Sequence, residues 1–183
     1  MFFLKLISRL PFTALYMVAD FLFLLSYHVI RYRRRLVRKN LTKSFPHLSK
    51  NEVKKIEREF YLNLCDYAVE TLKLLTISKE ELKTRMKYTN PELLETYKQK
   101  NQSIILLSSH QFNWEWLLVS GNLWLNIPID FVYQPLNSRF VDTLMQTCRL
   151  RFGGYAIKRK EVARELVKRK NMLRGIAIVA DQY

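Results

Sequence analysis

The segment SSHQFNWEW, residues 108–116, carries the residue types best suited to chemistry in this chain. His110 follows a short apolar run that reads as a strand, and open α/β sheets hold their ligands beyond the carboxyl ends of the strands. Glu115 comes five residues later. On one continuous helix that spacing sets the two side chains about 140° apart. A tight strand-to-helix turn, with Asn113 as cap and Glu115 in the first helical turn, lets the carboxylate look back at the imidazole. A carboxylate on one ring nitrogen fixes the tautomer and raises the basicity of the other. His110 is therefore a candidate general base for a hydroxyl, with Glu115 as its support. The plainer reading stays open: a structural histidine at a strand end, and a glutamate that compensates a helix dipole. No G-x-S-x-G elbow accompanies the pair, so direct transfer fits better than a covalent enzyme intermediate.

Charge is the second signal. The 183 residues hold 31 Lys and Arg against 16 Asp and Glu, a formal +15 that calls for an anionic partner. Ten basic residues fall between Arg149 and Arg174, against Glu161 and Glu165. Any single lysine there reads as a solvated helix face. As a group they offer a positive rim, with Arg149 the strongest candidate because a guanidinium holds an oxyanion bidentately, and with Arg151 and Arg159 beside it. Cys65 and Cys148 sit in apolar helical stretches and read as reduced, buried small hydrophobes. The three histidines and two cysteines form no metal-binding spacing, so neither a metal nor a cofactor is expected.

The elements that must position these residues begin with an apolar run from Leu10 to Ile30, followed by RYRRRLVRK. Its length suits a membrane span, and no small-residue cleavage site comes after it, so it reads as an anchor. Eleven Leu, Ile, Val or Phe residues contribute about 3–7 kcal/mol to insertion, and Asp20 in the middle costs about 2.5–3.5 if charged. That margin leaves open whether the segment spans the bilayer or lies in the interface. Arg31, Arg33, Arg34, Arg35, Arg38 and Lys39 outweigh Lys5 and Arg9 at the other end. The imbalance favours a cytoplasmic face for the residues beyond Ile30 and attracts anionic headgroups. A basic arm for nucleic acid is the rival reading; the adjoining apolar helix argues against it.

Ser49 with Glu52 forms a capping box, and Val53, Ile56, Phe60, Leu64 and Tyr67 recur at helical spacing to about Leu75. Ser78 with Glu81 repeats the box, and Asn90-Pro91 sets a cap and an N1 proline. After Asn101 the period changes. Residues 103–109 suit a buried parallel strand, 129–134 a second, 155–159 a short third and 175–181 a fourth, with helices over 114–125, 138–152 and 161–172 between them. The class is α/β: residues 1–39 an anchor with its basic segment, 40–100 a helical layer, and 101–183 a mostly parallel sheet with crossover helices. An apolar strand two residues before the last residue means either an edge strand or a chain continuing into further crossovers; the second is the expectation.

The segment H-Q-F-N-W-E resembles the H-x4-D/E motif of the glycerolipid and lysophospholipid acyltransferase superfamily, and its context looks closer to one branch, the lipid A late acyltransferases, where H-x-x-N-W-E is common. Residues 132–153 are similar to that branch's Y-R-P-x-x-N-P…R-x-R-x-G block. Residues 157–171 resemble its R-K…L-x-x-L-x-x-G block, and IAIVADQ, 176–182, its strand ending in D-Q or D-H. The basic run and NLTKSFPHLS, 40–49, agree as well. The resemblance implies an acyltransferase-like fold and transfer of a fatty acyl group from acyl carrier protein to a hydroxyl of a lipid A precursor at the bacterial inner membrane, facing the cytoplasm. It makes His110 the base, Glu115 its partner, and Arg149 and Asp181 further functional positions, with Arg149 helping to stabilise the oxyanion. Gln134, where the branch often has Arg, and Leu136 depart from the pattern at positions that bear on the acceptor. Family members continue for about a hundred residues beyond the D-Q strand, so the resemblance reads this chain as an N-terminal portion. Two alternatives remain: a superfamily acyltransferase with a lysophosphatidate or aminolipid acceptor, and a non-enzymatic basic membrane-associated protein.

Overall fold

The computed structural model describes residues 1–111 and 113–181. Phe112 of the H-Q-F-N-W-E segment and Gln182 of the D-Q ending lie outside the described residues. The chain divides into two compact units, Phe2–Lys73 and the residues from Leu74 onward. The boundary falls inside the segment 40–100.

Helices build the first unit: α1 (Phe2–Ile7), α2 (Phe12–Phe23), α3 (Arg34–Ser44) and α4 (Lys50–Lys73). Pro11, extended at φ −62° and ψ 155°, sets the start of α2 two residues later than the apolar run begins. From Leu24 to Val29 the helix continues as a π-helical turn, seen in the Ile30 N–H donating to the Leu25 carbonyl at 2.8 Å. The joined helix Phe12–Val29 is long and apolar enough to cross a membrane by length and composition, and 28% of it is buried. Its buried stripe, Leu15, Ala19, Phe23 and Tyr27, recurs every fourth residue and packs on Tyr61, Cys65 and Val69 of α4.

The Ser49 capping box closes as its spacing requires, with the Ser49 N–H donating to Glu52 Oε2 at 2.8 Å and the Glu52 N–H to Ser49 Oγ at 3.3 Å. The inward stripe of α4 is shifted by one position from the expected one. Val53, Glu57, Tyr61, Cys65 and Val69 are buried, whereas Phe60 and Leu64 stay 44% and 37% exposed. Polar residues take the inner face because each finds a partner there: the Tyr61 hydroxyl donates to the Tyr32 carbonyl, and Glu57 accepts from two arginines. Arg34 Nε reaches Glu57 Oε1 at 3.0 Å, and Arg38 Nε reaches Oε2 at 2.7 Å. Burial pushes the Glu57 carboxyl upward, and the hydrogen bonds from Arg38 and Arg34 outweigh it and hold the group below its ordinary value.

That depression carries a sign for stability. A carboxyl whose folded value lies below its unfolded one, about 4.3, contributes fully above the unfolded value and loses that contribution as pH falls through the folded one. The calorimetric melting temperature is expected to drop as pH falls below about 4.3, and less steeply in Glu57→Gln. Equal slopes in the two proteins would remove Glu57 from the account.

The second unit opens with α5 (Lys79–Arg85), where Ser78 Oγ accepts from the Glu81 N–H at 3.0 Å. The Glu81 carboxylate turns to Arg85 Nε, at 3.3 Å. Pro91 starts a 3-10 turn to Leu94, and α6 (Glu95–Gln99) comes next. Strand and helix then alternate as β1 (Ile104–Ser108), α7 (Trp114–Trp124), β2 (Ile129–Tyr133), α8 (Arg139–Arg149), β3 (Ala156–Lys158), α9 (Val162–Lys168) and β4 (Gly175–Val179). The sheet is parallel throughout, in the order β1-β4-β2-β3. Leu125, Ile127 and Ile129 form its core with Ile104, Leu106 and Ala177.

In that order β4 pairs on both sides and is an interior strand of the described sheet. The order also corrects one expectation. β1, expected as a buried strand, lies at the edge of the described sheet, with Ile105 and Leu107 exposed to 62% and 74%. An unbroken apolar run does not distinguish the two positions. Before β3, Gly154 holds φ +85°, and a Cβ there runs into the Ile129 carbonyl oxygen. Gly154→Ala is expected to cost about 2–4 kcal/mol, from left-handed backbone plus a clash that backbone cannot relieve. A urea denaturation midpoint unchanged from wild type would contradict this.

Candidate active site

β1 and β4 are neighbours with Ser108 opposite Val179, and the Ala180 N–H extends the pairing to the Ser108 carbonyl at 3.0 Å. His110 and Asp181 each lie two residues beyond that matched pair, so the strand order brings two distant segments to one point. The His110 backbone N–H donates to Asp181 Oδ2 at 2.9 Å, and its Nδ1 lies 2.7 Å from Oδ1. Both side chains remain about one-third exposed, at 31% and 36%. The His110 backbone N–H, and then its imidazole, hold the Asp181 carboxyl below the usual carboxylate range. In a neutral ring, donation of Nδ1–H to the carboxylate makes the other ring nitrogen an acceptor, the arrangement a base requires.

The expected partnership of His110 with Glu115 is not what the structure shows. Asn113 caps α7, its Oδ1 accepting from the Trp116 N–H at 3.1 Å, and this places Glu115 in the first turn as expected. The glutamate is 1% exposed and accepts from Arg149, with Nε on Oε2 at 2.7 Å and Nη2 on Oε1 at 2.5 Å. Trp114 Nε1 adds a third donor at 3.1 Å. A buried carboxylate needs a charged, bidentate partner, and the last turn of α8 supplies one. Trp114 also meets the His110 ring edge to face at 5.0 Å, so its indole links the two halves of the site. Spacing arguments miss this residue, although its place between His110 and Glu115 in the segment is a signal.

His110, Trp114, Glu115 and Arg149 line a cavity of about 580 Å³. Its apolar lining includes Leu118, Phe131, Ala177 and Ile178, and its polar lining includes His110, Glu115, Tyr133, Gln134, Arg149 and Arg159. Gln134 and Leu136, the two departures from the resembled pattern, both line it. Arg151 does not; its Nη1 donates to the Leu74 carbonyl at 2.6 Å. The positive rim is also thinner than a count suggests. Arg174 and Arg169 turn onto Asp130 of β2, which is 1% exposed, with Arg174 Nη2 on Oδ1 at 2.5 Å and Arg169 Nη1 on Oδ2 at 3.1 Å. Both cysteines are buried, and burial pushes the Cys148 thiol up to about 12, an inert group beside Arg149.

A strand-end imidazole with a carboxylate on one nitrogen, beside a partly apolar cavity edged by arginines, is suited to activating a hydroxyl toward an acyl group. Comparison with known proteins points the same way. A model of the bacterial lipid A biosynthesis acyltransferases matches residues 1–183. The chain is 24% identical over 156 residues to a lipid A biosynthesis acyltransferase of Haemophilus influenzae, covering 84% of this chain and 48% of that protein. The chain thus spans about half the length of the curated relative it matches. The match along its whole length places the chain in the bacterial lipid A biosynthesis acyltransferase family.

Proposed function

We propose that the protein transfers a fatty acyl group from acyl carrier protein to a hydroxyl of a lipid A precursor, at the cytoplasmic face of the inner membrane. The single observation that carries the reading is the His110–Asp181 pair beside a partly apolar cavity, in a chain of this family. Asp181 holds the Nδ1 proton, and the Nε2 atom of His110 takes the proton of the acceptor hydroxyl. The oxygen so freed attacks the thioester carbonyl, the C–S bond breaks as the new ester forms, and the imidazolium returns its proton to the departing thiolate. The developing oxyanion needs positive charge, and Arg149, aligned by buried Glu115, is assigned to supply it, with Arg159 nearby. Leu118, Phe131 and Ala177 offer apolar surface for the acyl chain. The helix Phe12–Val29 serves as the anchor, and the basic residues after it set the orientation.

The test places His110→Ala at the chromosomal locus and compares lipid A and phospholipids by mass spectrometry. Lipid A lighter by one acyl chain supports the proposal and reports the chain length. Unchanged lipid A with altered phospholipids or aminolipids assigns the same chemistry to another acceptor. No change in either class leaves a basic membrane-associated protein whose His–Asp pair is structural.

A further inference from the structure

The largest concentration of charge lies in the first unit and has no part in the acyl-transfer steps. A pocket of about 930 Å³ is lined by eight residues between Arg31 and Lys43; seven are Arg or Lys and the eighth is Thr42. Like charges crowded into one concavity repel, and the arrangement persists only with compensation. Glu57 supplies part, but its two oxygens are taken by Arg34 and Arg38. Among the described residues, no carboxylate lies within ion-pair distance of Arg31, Arg33, Arg35, Lys39 or Lys43.

The backbone adds a second, independent observation. Arg31 and Arg33 both hold left-handed conformations, at φ 54° and 52°. Glycine is the ordinary residue for such positions, because a side chain there is strained. Two bulky cations kept on strained backbone, one residue apart and lining one pocket, mark a place where charge is needed more than relaxation. Arg34, in the same lining, is fixed by Glu57, by the Tyr27 carbonyl at 3.1 Å, and by the Tyr27 ring at 4.1 Å.

We propose that this pocket binds a phosphate group presented by an anionic lipid at the membrane surface. Guanidinium forks match the oxygens of a phosphate, and five arginines line this pocket. The pocket begins directly after the apolar helix Phe12–Val29, the depth at which headgroups lie when that helix enters a bilayer. A single-stranded nucleic acid calls instead for an extended basic groove with aromatic platforms. The pocket shares no residue with the cavity beside His110, so the proposal stands or falls independently of the acyl-transfer reading.

The experiment is calorimetric titration of the full chain in neutral detergent with dihexanoyl phosphatidylglycerol, dihexanoyl phosphatidylcholine, inorganic phosphate and a short oligonucleotide. Saturable one-to-one binding of the phosphatidylglycerol is expected, competed by inorganic phosphate, with the phosphatidylcholine weaker by about tenfold. Arg31→Gly with Arg33→Gly removes two charges while relieving the backbone, so the variant is expected to melt no lower than wild type and to bind about tenfold more weakly or worse. Arg35→Gln alone is expected to weaken binding about threefold and provides a reading should the double variant misfold. Removing three charges elsewhere, with Lys160→Gln, Arg164→Gln and Lys168→Gln, is expected to change affinity by less than about twofold. Wild-type affinity in the glycine variant, equal affinity for both lipids, or an equal loss in the distant triple variant overturns the site. Inorganic phosphate binding as tightly as the lipid overturns the lipid source, and tighter binding of the oligonucleotide overturns the class of partner.

Discussion

On the proposed mechanism, His110→Ala is expected to lower the rate of acyl transfer by about 10²–10⁴-fold while leaving the protein folded, because the proposed general base is lost and the ring is not a core residue. Its side chain is 31% exposed, so its removal opens no buried cavity. The sharper experiment is Asp181→Asn. The carboxylate can only accept, so Nδ1 carries the proton and Nε2 is free to take one. An amide can present its N–H to Nδ1 and turn the imidazole into the wrong tautomer, with geometry otherwise kept. A loss of about 10²-fold or more is expected, with an unchanged melting temperature. A wild-type rate in Asp181→Asn would mean that the imidazole is positioned by something other than this carboxylate.

The other large effect belongs to stability. Glu115→Gln leaves Arg149, 17% exposed, without its charged partner, and breaking a buried pair from one side costs about 3–5 kcal/mol. Chemical denaturation should show that loss directly. Pairing the change with Arg149→Met should recover part of it, since replacing both members removes the stranded charge. The rate, measured where the variant is fully folded, should also fall through the displaced Arg149. Had Glu115 oriented the imidazole instead, its replacement would lower the rate with stability nearly intact, so the two measurements together separate the roles.

The contrast between those two carboxylates shows where the sequence is informative. Local chemistry is legible: the Ser49–Glu52 box, the Asn113 cap and the alternation of strands and helices after Asn101 all arise from residue types within a few positions. What spacing cannot contain is strand order. Glu115 is close to His110 in sequence, whereas Asp181 is 71 residues away and becomes a neighbour because β4 lies against β1. The shifted stripe of α4 has a similar origin. Hydropathy selects Phe60 and Leu64 for the inside, but Glu57 and Tyr61 are drawn there by partners on a different stretch of chain. The basic count after Arg149 misleads for the same reason, since Arg169 and Arg174 serve a buried aspartate on β2.

The sheet order also dictates when the site comes into being. β1 is the first of the four described strands to be made, yet its neighbour is β4, the last of them. At about 5–20 residues per second, the 71 residues separating His110 from Asp181 take roughly 4–14 seconds to emerge. Throughout that interval IILLS is an apolar strand with neither charge nor proline to discourage other pairings. When β4 pairs with β1 it covers one of that strand's two edges and brings Asp181 to His110, so the His–Asp pair exists in a nascent chain only once the last of the described strands is in place.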